Sequence, residues 1–218
     1  MIDKYVLALA ALLALPFAAS ADNTPIKAKL YPDIITALKH NADARRGQAA
    51  FRVCRGCHLE DGQQRAKSLT PLLAAQHDTV LIKQVLDVKA GRRHNPKMHP
   101  FTDDLLVSTE DIADIAAYLS LLPPTPNNQL GDGKHLAHGK ALYERDCASC
   151  HGRNGEGLAA RFYPRVAGQH YAYLVRETLE SRDEGRRNAD ADMVRVLKSY
   201  SNADVEAVSD YMSRLRGD

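Results

Sequence analysis

The apolar positions of this chain fall at intervals of three and four residues, the spacing of one helix face. No stretch sustains the every-second-residue alternation of a strand. The two clearest segments are "STEDIADIAAYLSLL" from Ser108 and "SNADVEAVSDYMSRL" from Ser201. Their stripes run through Ile112, Ile115, Ala116 and Leu119, and through Val205, Val208, Met212 and Leu215. Each opens on serine with aspartate three residues later. Ser108 or Thr109, and Ser201 or Asn202, are therefore expected to cap the first exposed N–H groups. Further helical runs are expected at "GQAAFRVC", at "GKALYERDC", at "DIITALKH" after Pro32, and at "VLIKQVLDVKAG", which Gly91 would close. The pattern predicts an all-α fold.

The helical pattern occurs twice. "CRGCH" (Cys54, Cys57, His58) returns 93 residues later as "CASCH" (Cys147, Cys150, His151). At the same offset Pro71 meets Pro164, Gln76-His77 meets Gln169-His170, and Tyr118 meets Tyr211. "AGRR" around Gly91 meets "EGRR" around Gly185 after one added residue. Two copies at so long a period are a duplicated small domain and not a solenoid. "LPPTPNNQLGDGKH", rich in Pro, Asn and Gly, reads as the connection. The expected organisation is a first domain over 41–122, a linker over 123–134 and a second domain over 135–218. Residues 22–40 form an extension without a counterpart.

The first 21 residues read differently. Lys4, an apolar run from Tyr5 to Phe17 and the small-residue site Ala19-Ser20-Ala21 have the form of a secretory signal peptide. The mature chain is then expected in a bacterial periplasm. A retained anchor is the other reading of the same segment. The formal charge is +2, from 29 basic and 27 acidic side chains, which offers no basic face for nucleic acid.

C-x-x-C-H is the attachment signature of c-type haem. Two thiols add to the haem vinyl groups, and the adjacent histidine reaches the iron from one side. Cys54 and His58, four apart, share one face of a helical turn. A large flat cofactor also supplies interior to a domain too small to bury much core. Structural zinc would bring its C-x-x-C pairs within about 15–20 residues of each other. A thioredoxin-like pair needs a βαβ context, and plain disulfides leave the repeated histidine unexplained. The cofactors expected are two covalently bound haem c groups.

Each iron then needs a ligand on its other side. Met1 belongs to the signal peptide, and Met212 lies on the apolar stripe of the last helix. Met98 follows His58 by 40 residues and Met193 follows His151 by 42, each after a Gly-Arg-Arg. His94 and His99 crowd the same segment as Met98, "RHNPKMHPF", but align with Asn188 and Val194 in the second copy. His77 and His170 do repeat, ahead of a helix, and read as structural or surface. His58 with Met98 and His151 with Met193 are the expected iron ligands. With both axial positions filled by protein, iron changes oxidation state with little rearrangement and binds peroxide or oxygen poorly. Methionine also raises the reduction potential. These features describe an electron carrier. The alternatives are a diheme enzyme of the peroxidase or thiosulfate-oxidising kind, which needs a replaceable ligand, and a cytochrome subunit of a dehydrogenase.

From about Gly47 to Leu215 these motifs resemble class I cytochromes c, and most closely the diheme cytochrome c4 family. The resemblance implies two tandem cytochrome c domains whose haems face each other and exchange electrons. It implies that the carbonyls of Pro71 and Pro164 accept a hydrogen bond from His58 and His151. It places Gly47 near Tyr118 and Gly139 near Tyr211 where helices cross. It makes Arg92, Arg93, Arg186 and Arg187 candidates for haem propionates. Leu59 departs from the family glycine that the second copy keeps at Gly152. Expected partners are redox proteins: a quinol-oxidising complex or dehydrogenase as donor, and a terminal oxidase or reductase as acceptor. Peripheral attachment to a membrane is compatible with that role. The two copies are nearly matched in charge, so no electrostatic pole singles out a partner.

Overall fold

The computed structural model of the chain describes residues 30–60, 62 and 69–217. The expected signal peptide and residues 22–29 lie outside the described residues. Among the described residues the helices are α1 (Pro32–Lys39), α2 (Ala44–Ala50), α3 (Arg55–His58), α4 (Asp78–Lys89), α5 (Thr109–Leu121), α6 (Leu136–Leu142), α7 (Ala148–His151), α8 (Tyr171–Arg182), α9 (Ala191–Leu197) and α10 (Asn202–Arg214). Beyond an isolated bridge between Leu158 and Tyr163, no strand forms among them. The all-α expectation holds.

The serines, and not their neighbours, cap α5 and α10. Ser108 Oγ accepts the Asp111 amide at 3.0 Å and Ser201 Oγ accepts the Asp204 amide at 3.1 Å. Each aspartate returns a bond from the serine's own amide, completing a capping box. Gly91 follows the end of α4 at φ +70°, where a side chain would be strained.

Each domain is built on one crossing: α2 over α5 in the first, α6 over α10 in the second. Both crossings pass through a glycine. A Cβ on Gly47 would lie 1.9 Å from the Asp114 carbonyl oxygen, and one on Gly139 would lie 2.1 Å from that of Ala207. Beside each crossing an aromatic pair closes the core: Phe51 with Tyr118, centroids 6.0 Å apart, and Tyr143 with Tyr211, 5.5 Å apart. The second copy has one more residue between that aromatic and its first cysteine. The helix absorbs it by widening: Phe51–Val53 is a 3₁₀ turn, whereas Tyr143–Cys147 is a π turn. Both cysteine motifs therefore leave their helices in comparable positions.

The two segments outside the repeat are not passive. In α1, Ile34 and Ala37 are buried with Leu86 and Ile112 in the first core. Arg92 stacks over Tyr31 at 4.2 Å and pairs with Asp33 at 2.6 Å. Residues 30–40 thus belong to the body of the first domain. The linker lies along the second: Asn128 donates to Ser213 O at 2.7 Å, Gln129 N to His170 Nδ1 at 2.9 Å, and the Gly131 and Gly133 amides to Asp210.

The domains meet about an approximate twofold relation, so equivalent residues face one another. Gln84 of α4 and Glu177 of α8 hold matching places in the two copies. Arg93 bonds to both, at 3.1 and 2.8 Å, and Arg186 bonds to both, at 3.0 and 2.5 Å. Burial works to raise the pKa of Glu177, but Arg186 and Arg93 outweigh it and hold the carboxyl below its usual range. A second matched pair lies nearby. Gln76 reaches the backbone of Arg165, and Gln169 reaches the backbone of Leu72, each with both ends of its amide.

Candidate haem-binding sites

Short helices α3 and α7 present the two motifs. Cys54 and Cys147 stand at their N-caps, and one helical turn brings Cys57 with His58, and Cys150 with His151, round behind them. None of the four cysteines is in a disulfide. Burial, reinforced by Cys57, pushes the Cys54 thiol up to about 11; burial, with Asp146 and Cys150, pushes Cys147 up to about 12. Both are held as uncharged thiols. Among the described residues no three His, Cys, Asp or Glu side chains converge as a metal site. The zinc reading finds no support there.

The histidines suit an iron ligand. His58 is buried, and burial pushes its pKa down to about 4, with the Pro71 carbonyl acting weakly the other way. Its Nδ1 is buried without a hydrogen-bond partner. His151 is half-buried, its affinity for a proton likewise lowered by burial, and its Nδ1 donates to Pro164 O at 3.0 Å. A neutral imidazole is the form that coordinates metal. The histidine–proline bond that the resemblance implies is fully formed in the second domain, whereas in the first the Pro71 carbonyl acts on His58 without reaching full hydrogen-bond geometry. The haem group fits these residues: neutral imidazoles, one buried and one half-buried, beside thiols that lie outside any disulfide at attachment spacing.

The two methionines sit on unlike supports. Met193 belongs to α9, which Asp190 caps, and packs with Cys147 against the second core. Met98 is half-buried at the start of a 3₁₀ turn (His99–Thr102), its amide donating to Asn95 O at 3.1 Å. The segment from Met98 to Ser108 is two residues longer than that from Met193 to Ser201. It carries the exposed Phe101, Leu105 and Leu106. His94 and His99 are exposed and line a cleft of about 320 Å³ with Arg93 and Arg187.

Three of the four arginines considered for haem propionates are engaged with protein carboxylates. Arg92 holds Asp33 and Asp87, and Arg93 and Arg186 share Glu177. Arg187 is the exposed one. His77 and His170, read as structural or surface, are structural: His77 Nε2 bonds to Glu156 O across the domain boundary at 2.8 Å, and His170 is fully buried. Sequence reasoning missed the roles of Gln76, Gln169 and Glu177. The repetition of the two glutamines at the 93-residue offset was the available signal.

Leu59 follows His58 at φ 57°, ψ 176°, a region that glycine alone occupies without strain. Its counterpart is Gly152, at φ 81°. Replacing Leu59 with glycine is expected to stabilise the first domain by about 1 kcal/mol, the relieved strain less the glycine's unfolded-state entropy. Thermal unfolding of the haem-loaded protein checks this as a rise in the first-domain midpoint.

The family model described as cytochrome c matches this chain twice, over residues 44–123 and 136–216. Cytochrome c4 of Azotobacter vinelandii is 33% identical over 201 residues, covering 83% of this chain and 93% of the relative. Cytochrome c4 of Pseudomonas aeruginosa is 35% identical over 193 residues, with the same coverage. A protein of Stutzerimonas stutzeri named thiosulfate dehydrogenase electron acceptor is 30% identical, covering 76% of this chain and 80% of its own length. The crystal structure of reduced cytochrome c4 from Pseudomonas stutzeri superposes with a TM-score of 0.72 at 31% identity, covering 80% of this chain and all of that one. With two cysteine–histidine motifs on two copies of one helical fold, this chain belongs to the cytochrome c family as a two-domain, electron-carrying member of the cytochrome c4 type, with two covalently bound haem c groups.

Proposed function

We propose that the iron of the first haem is held by His58 and Met98 and that of the second by His151 and Met193. On this reading Cys54, Cys57, Cys147 and Cys150 form the thioethers, and the carbonyls of Pro71 and Pro164 steady the histidines. The haem, when attached, supplies reversible one-electron chemistry. The chain's contribution is to keep the sixth position closed and water away from the imidazoles. The observation that carries this reading is the matched placement of one methionine per copy. The lowered proton affinity of both histidines supports it.

The protein would work in the periplasm after removal of residues 1–21, taking electrons from a quinol-oxidising complex or a dehydrogenase. It would pass them to a terminal oxidase or reductase. The relative named for accepting electrons from thiosulfate dehydrogenase supports a dehydrogenase as donor. No described helix is long and apolar enough to cross a membrane. The test is direct. Purified from periplasm with both haems attached, the protein is expected to be reduced by a thiosulfate-oxidising dehydrogenase or a quinol-oxidising complex. It is expected to show no turnover alone with peroxide or thiosulfate. Sustained turnover with either would make it an enzyme and overturn the carrier reading.

A further inference from the structure

Leu72 and Arg165 directly follow Pro71 and Pro164. The amide N–H of each therefore belongs to the same peptide group as the proline carbonyl before it. Gln76 Oε1 of the first domain accepts the Arg165 N–H at 2.9 Å, and Gln169 Oε1 of the second accepts the Leu72 N–H at 2.8 Å. The other side of the Pro164–Arg165 peptide is already in use, because its carbonyl accepts the His151 Nδ1–H at 3.0 Å. A peptide group relays polarisation: an acceptor drawing on its N–H makes its carbonyl a stronger acceptor in turn. An imidazole whose N–H meets a stronger acceptor is a more basic metal ligand.

We propose that each glutamine is a positioning residue for the iron ligand of the opposite domain. Gln76 sets the basicity and orientation of His151, and Gln169 sets those of His58. The inference rests on reading His58 and His151 as iron ligands. The amides are held firmly enough for the task. Gln76 Nε2 donates to Arg165 O at 2.9 Å and Gln169 Nε2 to Leu72 O at 3.0 Å, so each side chain grips its peptide strand at two points. Each Oε1 also accepts the next residue's own amide, His77 at 3.1 Å and His170 at 3.0 Å. Two donors on one end identify it as the oxygen. The arrangement makes the potential of each haem depend on contact with the other domain. The link is complete for His151. Because the Pro71 carbonyl acts on His58 without a bond of full geometry, the effect on the first haem is expected to be the smaller.

The test uses the full-length, haem-loaded protein with Gln76→Leu and Gln169→Leu. In a redox titration each midpoint is followed through the ligand-methyl proton resonance of Met98 or Met193. The ring N–H of His151 is observed in the reduced state. Gln76→Leu is expected to raise the second-domain midpoint and move the His151 N–H resonance, leaving the first-domain midpoint in place. Gln169→Leu is expected to raise the first-domain midpoint only. Gln76→Glu keeps and strengthens the acceptor and is expected to lower the second-domain midpoint. Thr79→Val removes an interdomain bond, Thr79 Oγ1 to Ala159 O at 2.8 Å, without touching either proline peptide, and is expected to move neither. An unmoved His151 N–H in Gln76→Leu, equal shifts of both haems, or an equal shift in Thr79→Val would overturn the relay. Missing methionine-methyl signals in the unsubstituted protein would instead refute the ligand reading, with the His151 N–H still reporting on the relay.

Discussion

Gly139→Ala is expected to destabilise the second domain by about 3–5 kcal/mol, a large part of the ~5–15 kcal/mol that holds a typical domain together. The added methyl would sit 2.1 Å from the Ala207 carbonyl oxygen, 2.7 Å from its carbon and 3.1 Å from Tyr211 Cβ. Two of these three atoms are backbone in α10, so no side-chain rotation relieves the clash. Helices α6 and α10 would have to move apart, opening the core that Tyr143, Val205 and Val208 fill. Gly47→Ala, at 1.9 Å from Asp114 O, is expected to do the same to the first domain. Gly185→Ala is the control, since its new methyl meets nothing nearer than 3.7 Å. It is expected to change stability by less than about 0.5 kcal/mol, as surface substitutions usually do. Urea unfolding followed by circular dichroism separates the three. A Gly139→Ala protein as stable as the parent would mean that the crossing is looser than described.

How much of this was legible in the sequence depended on how far apart the interacting residues lie. The haem motif fits within one helical turn, so five consecutive residues carry its whole meaning. Helices α5 and α10 combine a capping serine, an aspartate three residues on and an apolar stripe, and these local signals agree. The interface could not be read this way. Gln76 and Gln169 matched across the repeat, which marked them as equivalent. Matching cannot reveal that each one's partner is the other copy's backbone. The paired arginines show the same limit from the other side. The resemblance offered haem propionates as partners for Arg92, Arg93 and Arg186. The tertiary fold brings Asp33, Asp87 and Glu177 to them, two of these from distant segments or the other domain. Helix α1 was foreseen as a helix, but Ile34 and Ala37 show no destination until α4 and α5 are in place. The π turn at Tyr143–Cys147 was present in the sequence only as a one-residue difference in spacing.

Methionine ligation is the step on which the carrier reading turns, and removing it is expected to have the largest functional effect. Without Met193 the nearest side chains on α9 are Asp192 and Val194, neither suited to replace a thioether. The second haem is expected to become high-spin, open to exogenous ligands, and lower in potential by on the order of 0.2 V, a fraction of the ~0.8 V that axial ligands command. Met98→Ala is expected to behave differently. His99 adjoins the vacated position and His94 lies on the same exposed segment, so an imidazole can take the iron. That haem is expected to stay largely low-spin, with a bis-histidine spectrum and a lowered potential.

The measurement that tests the account most directly is a haem count with axial-ligand assignment on the parent, Met98→Ala and Met193→Ala. The account predicts two covalently attached haems that survive denaturation, with thioether–iron signatures from both in the parent. Each substitution should remove one signature and leave the other haem intact. A parent without those signatures, or substitutions that leave spectrum and potential unchanged, would contradict it.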